Sequence, residues 1–166
     1  MKQRFVCFTG FLVLAALSLP LAAQSYVVSK SASLSSAASV VTVQNTATNT
    51  RVVRITGAYV YCSIACSFTV ERNGTAATGT ALSVYGLSPS SPAAVVTAYH
   101  TSDVGSGTVL ETFNVPAASS RSIPFLDEKG AGMIILPQGT SNNFTIRTSS
   151  ISGTADIVIS FTETPQ

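Results

Sequence analysis

The sequence predicts an all-β protein: an antiparallel β-sandwich, jelly-roll-like, of about nine to ten strands behind a removable leader. Three observations carry this. Short runs rich in Val, Ile, Thr, Tyr and Phe recur about every 10–15 residues between turn residues. No stretch sustains apolar positions at helical spacing. The first 23 residues have the composition of a secretory signal peptide and stand outside the fold.

Met1, Lys2, Gln3 and Arg4 form a basic start, residues 5–19 are almost wholly apolar, and Pro20-Leu21-Ala22-Ala23 is a small-residue exit. The apolar run falls short of the roughly 20 residues that a spanning helix needs. Cleavage is expected after Ala23, with Ala22 as the alternative. Cys7 lies inside the apolar run and not at its exit, which argues against a lipid anchor. Residues 1–23 are therefore read as the leader, and the protein as periplasmic or extracellular, with no membrane span after cleavage.

Cleavage also changes the charge. The +2 of the whole chain includes Lys2 and Arg4, and residues 24–166 hold seven basic and seven acidic side chains. A neutral chain gives no footprint for nucleic acid. Ser and Thr supply 42 of the residues in 24–166, so hydroxyls replace charge as the solvent-facing groups. Thr suits a half-exposed pleated surface. Near-zero net charge also permits association.

The elements follow in order. Residues 24–38 are Ser-rich, low in complexity from 29 onwards, and read as a flexible N-terminal arm; the β domain is 39–166. Residues 39–44 are a strand, ended by the polar turn 45–49. Residues 51–62 are a long strand with a bulge expected at Gly57. Residues 66–72 pair back on it and end at Asn73-Gly74, a strong turn dipeptide. Further strands are expected at 80–85, 94–99, 109–113 and 122–125. Residues 133–136, continuous and apolar, read as a buried strand. Phe144 and Ile146 alternate with Thr145 and Arg147. Ala155, Ile157, Ile159 and Phe161 then share one face of the last strand, opposite Asp156, Val158, Ser160 and Thr162.

Two cysteines remain, Cys62 and Cys66. In an oxidising compartment a disulfide is the expected state, with free thiols the alternative. Four residues of extended strand span about 13 Å. A disulfide brings Cα atoms within roughly 7 Å. The bond therefore requires residues 63–65 to turn, pinning a hairpin at its tip. Redox chemistry would want a Cys-x-x-Cys spacing near a helix.

Several segments together resemble a broad group of small jelly-roll proteins found among phage virion components and related bacterial proteins of unknown role. They are Val41-Thr42-Val43-Gln44-Asn45-Thr46 with its turn at 47–49, the long strand at 52–61, and Val70-Glu71-Arg72-Asn73-Gly74. Ile135-Leu136-Pro137-Gln138-Gly139 and the closing run 157–163 complete the pattern, which covers residues 39–163. The resemblance implies a jelly-roll fold and non-enzymatic, packing-based work. The leader departs from it, because virion proteins assemble in the cytoplasm.

Candidate chemistry is sparse. His100 with Asp103 could be imagined beside a serine, but no Gly-x-Ser-x-Gly elbow is present. Asp127-Glu128 supply part of a calcium ligand set at most. Arg51, Arg54 and Arg72 are candidates for a basic patch, or for edge charges that discourage strand pairing. Tyr59, Tyr61, Tyr85 and Tyr99 are candidates for a sugar-binding face. Asn73-Gly74-Thr75 and Asn143-Phe144-Thr145 match the glycosylation sequon. No catalytic residue, cofactor site or metal site is assigned. The reading that follows is a secreted, non-enzymatic structural or interaction protein, acting through a protein partner or its own copies. A carbohydrate-binding or adhesin module is the alternative, with a glycan as partner, and a secreted hydrolase comes third.

Overall fold

The computed structural model describes residues 23–46, 48–72, 79–100, 107–126, 128–130, 132–138 and 142–165. The leader up to residue 22, the turn and sequon at Asn73, Asp103, Asp127 and Gly139 lie outside the described residues.

Twelve strands are described: β1 (Gln24–Ser33), β2 (Ala38–Gln44), β3 (Arg51–Cys62), β4 (Cys66–Arg72), β5 (Thr80–Leu82), β6 (Val84–Gly86), β7 (Thr97–His100), β8 (Thr108–Val115), β9 (Ser119–Pro124), β10 (Ile134–Leu136), β11 (Asn143–Thr148) and β12 (Thr154–Pro165). They form two antiparallel sheets. The first has the order β10-β3-β12-β1-β6, with β9 also paired along β3; the second has the order β5-β7-β2-β11-β4-β8. The chain is thus an all-β sandwich. Its long pairs are nested: β1 with β12, β2 with β11, β3 with β9 and β10, and β4 with β8. Successive pairs alternate between the sheets.

The core follows from the period of two. Val53, Ile55, Ala58, Val60 and Cys62 of β3 face Phe68, Val70, Val41, Val43, Phe144 and Ile146 of the second sheet, all buried. The last strand behaves as its alternation predicts: Ala155, Ile157, Ile159 and Phe161 are buried while Asp156 is exposed. Aromatic rings reinforce both sheets. Tyr26 stacks on Phe161 at 5.7 Å and Phe68 on Phe113 at 5.6 Å, while Phe125 meets Phe144 edge-on at 5.5 Å. Such pairs add about 0.5–1.5 kcal/mol each beyond area burial.

Asn45 pins the passage from β2 to β3. Its side-chain amide donates to the Leu136 carbonyl at 2.7 Å and its backbone amide to Asn142 O at 3.1 Å. Asn49 donates to the Asn45 side-chain oxygen, and its own oxygen accepts from Arg51 N at 2.9 Å. The two asparagines of the polar turn are therefore buried structure, their side chains bonded to backbone groups and to each other.

Four expectations are corrected. Residues 24–38 are not a flexible arm. Residues 24–33 form β1, which pairs along its whole length with β12. The serines hide an alternation: Tyr26, Val28, Ala32 and Leu34 are buried, whereas Ser29, Ser31 and Ser33 are exposed. Second, β3 and β4 are not a hairpin. They belong to different sheets, and residues 63–65 carry the chain across the sandwich. Third, Cys62 and Cys66 are free buried thiols and not a disulfide. Each is held by its own sheet, and the Cys66 Sγ donates instead to the Ile64 carbonyl at 3.1 Å. Burial, and then the neighbouring Cys66 thiol, push the Cys62 thiol up. Fourth, residues 133–136 are not a buried strand. Met133 is 62% exposed and Ile135 37%, and only Leu136 is fully buried, because β10 is a short edge piece against β3. The expected strand at 80–85 also divides: β5 joins the second sheet and β6 the first. That division and β1 raise the count from ten to twelve.

Candidate functional site

The outer face of the first sheet gathers three of the four tyrosines singled out in the sequence. The cause is a bulge in β3. Ser160 pairs with Gly57 and Phe161 with Ile55, so Thr56 is an extra residue. The bulge reverses the strand's phase. Val53 and Ile55 are buried before it, and Ala58, Val60 and Cys62 after it. Thr56 and Gly57 therefore both face outwards, followed by Tyr59 and Tyr61.

Register then lines up the neighbours. Tyr85 of β6 pairs with Val27 of β1, Val27 with Ser160 of β12, Ser160 with Gly57 of β3, and Gly57 with Pro124 of β9. These five residues form one row across five strands, about 19 Å long at the usual strand spacing. The adjacent row is Ser29, Val158, Tyr59 and Ser122. Tyr85 and Tyr59 are exposed, at 61% and 42%. Where the rows meet, a groove of about 230 Å³ lies over Gly57. A side chain at Gly57 would stand 3.3 Å from the Ile123 carbonyl oxygen. Tyr59, Val158 and Pro124 give the groove apolar walls. Thr56, Ser122 and Ser160 give it hydroxyls. Thr56 Oγ1 donates to Ser160 Oγ at 3.1 Å, and Ser160 Oγ donates to Gly57 O at 3.2 Å. Among the described residues no carboxylate, ammonium or guanidinium lines the groove.

The other candidates are dispersed. Tyr99 is on β7 of the second sheet, half-buried. The His100 Nδ1 donates to the Val40 carbonyl at 2.8 Å, a backbone contact. Glu128 is exposed. Among the described residues no group of three or more His, Cys, Asp and Glu side chains is placed to hold a metal. Arg51 and Arg54 are on β3 and Arg72 is on β4 of the other sheet, so the three do not form one patch. Asn143 is 1% exposed, which removes its sequon from the folded surface.

One cluster had no place among the candidates. Glu163 is fully buried, continuing the inward phase of β12. Its Oε2 lies 3.1 Å from Arg51 Nη1, and its Oε1 accepts from Val95 N at 2.9 Å and Val96 N at 3.1 Å. Tyr26 alongside donates to the Pro92 carbonyl at 3.0 Å. Burial, and then the Glu163 carboxylate, push the Tyr26 phenol up, while Arg51 pulls it partly back. These groups fasten the segment between β6 and β7 to the sandwich. The signal was present: Glu163 is the next residue in the series 155, 157, 159, 161, and an acid in an apolar phase demands a partner.

Fold and surface thus define a two-sheet β-sandwich with a mixed aromatic and hydroxyl outer face. No family model, no curated protein and no solved structure matches the chain.

Proposed function

We propose that the chain is a secreted, non-enzymatic structural or interaction protein that associates through the edge of its second sheet. The observation that carries this is β8. It is eight residues long and bonded to β4 on one side. Val109 and Leu110 stand exposed on it, at 53% and 45%. An edge of that length, apolar at its start and carrying the Glu111–Arg121 ion pair further along, is a template for another strand. The other outer strands are shorter: β5 and β6 have three residues each, and β9 ends in Pro124.

The nested, sheet-alternating pairs support reading the sandwich as a jelly roll, with β5, β6 and β7 inserted between β4 and β8. That reading agrees with the resemblance to small virion-like proteins. Secretion is supported by the leader's composition, and by β1 opening at Gln24, the residue after the expected cut.

Size-exclusion chromatography with light scattering, over a concentration series of residues 24–166, tests association. Self-association weakened by Leu110→Lys is the expected result. A strict monomer at millimolar concentration, particle-free by electron microscopy, would count against it. Carbohydrate binding is the second reading, favoured by Tyr59, Tyr61 and Tyr85 sharing one face.

A further inference from the structure

We infer that the groove over Gly57 is a binding site for a neutral saccharide, with Tyr59 as its stacking wall and Tyr85 as a second contact for a longer chain. This rests on the carbohydrate-binding reading and gives it an address and a ligand class.

The chemistry selects the ligand. A pyranose has an apolar C–H face and a rim of hydroxyls. The groove offers the matching pair: the ring of Tyr59 with Val158 and Pro124, and the hydroxyls of Thr56, Ser122 and Ser160. Tyrosine presents a large amphipathic surface with few rotamers to lose. Thr56 Oγ1 can exchange the Ser160 hydroxyl for a sugar hydroxyl, while Ser160 keeps its bond to the Gly57 carbonyl and accepts from the sugar, so no group is orphaned. An anionic ligand would meet no cation among the described lining residues. A purely apolar ligand would strip water from the three hydroxyls and offer them nothing beyond the Thr56–Ser160–Gly57 bonds already present, which is costly. An extended peptide would seek a sheet edge, whereas this groove is on a face.

Its size and direction set the length. A volume of about 230 Å³ is below the usual range of enclosed small-molecule sites. It suits one ring held openly, hence weak binding. The row through Ser160 and Val27 leads from the groove to Tyr85. That distance is three strand spacings, about 14 Å. A chain of several sugars lying across the strands therefore reaches both tyrosines. The support is rigid, since β3, β12 and β1 are each flanked by paired strands at this row.

The test titrates residues 24–166 with neutral oligosaccharides of one to six units from the gluco-, manno-, xylo- and chito- series, with oligouronates as acidic controls. Saturable binding of a neutral series is expected, tightening with length. Tyr59→Ala should cost about tenfold, the upper end for losing an aromatic contact. Tyr85→Ala should weaken the longer chains and leave the single sugar unchanged. Gly57→Val should block the groove. Because that variant presses on the Ile123 carbonyl, the exposed Tyr59 position carries the decision, with near-UV circular dichroism confirming the fold. Neutral-sugar binding that survives Tyr59→Ala and Tyr85→Ala leaves the carbohydrate reading standing and overturns this groove. Preference for the uronates overturns the neutral assignment. Silence across every series overturns both.

Discussion

Replacing Glu163 by alanine should be among the most damaging single changes in this protein, and the size of the effect follows from what the carboxylate holds. Its Oε1 takes the amides of Val95 and Val96, and its Oε2 faces Arg51. In Glu163→Ala two backbone donors lose their acceptor, at about 1–3 kcal/mol each. Arg51 loses its counter-charge as well. Its side chain keeps 19% exposure, so part of the charge can rehydrate and its share is discounted. The sum is about 3–5 kcal/mol, comparable to breaking a buried pair from one side. With a urea m-value of about 2 kcal/mol/M, the unfolding midpoint should fall by roughly 1.5–2.5 M. Glu163→Gln retains an acceptor for the two amides but loses the charge opposite Arg51, so about half the loss is expected. Hydrogen exchange gives a local readout. The Val95 and Val96 amides should be protected in the wild type and Glu163→Gln and should exchange fast in Glu163→Ala. An alanine variant within about 0.5 kcal/mol of wild type, with those amides still protected, would refute the clamp.

Three further outcomes follow. Tyr26 and Cys62 both have raised proton affinities in the fold, chiefly through burial. The folded state then holds protons that the unfolded state releases, so stability is complete below the ordinary thiol and phenol values and falls as pH rises past them. Tyr26→Phe should flatten the alkaline limb of stability measured by denaturation from pH 8 to 11. Cys62 and Cys66 should titrate as two free thiols after non-reducing unfolding and react slowly in the native protein, and an intact mass about 2 Da lower would contradict the buried dithiol. Asn45→Ala should cost about 1–3 kcal/mol in urea unfolding, because it leaves the Leu136 carbonyl and the Asn49 amide without their partner; a neutral result would show that the turn is held by other contacts.

Where sequence and structure agree, the information was local. The alternation in β12 needs only its own residues, and the bulge at Gly57 needs only a glycine inside a strand. Where they differ, the deciding partner was distant. Nothing within residues 66–72 says which sheet β4 joins, and β3 supplied the nearest wrong answer. In β1 the serines masked a buried series that becomes evident only once β12 is beside it. Polar residues misled in the same way on the second sheet. Thr42 and Thr145 are both buried, at 2% and 1%, and share a hydrogen bond at 3.0 Å, so their hydroxyls serve each other and not solvent. The candidate face was half legible. Its tyrosines could be listed from the sequence, but the bulge that turns Tyr59 and Tyr61 outwards and the register that brings Tyr85 into line could not. Tyr99, chosen on type alone, belongs elsewhere.

The two surfaces proposed for this protein lie on different sheets, and that separation has a measurable consequence. The β8 edge belongs to the second sheet and the tyrosine row to the first. Copies joined along β8 would leave every row open. One shallow groove binds weakly, but several carried by one assembly act on a polymer at high effective concentration, and avidity then exceeds the single-site affinity by about 10²–10⁴ where geometry allows. Leu110→Lys should therefore leave the affinity for a soluble tetrasaccharide unchanged while lowering retention on an insoluble polymer of the same sugar. Tyr59→Ala should lower both. If Leu110→Lys weakened the soluble tetrasaccharide as strongly as the polymer, the edge and the groove would not be independent surfaces, and the division of labour between the sheets would be wrong.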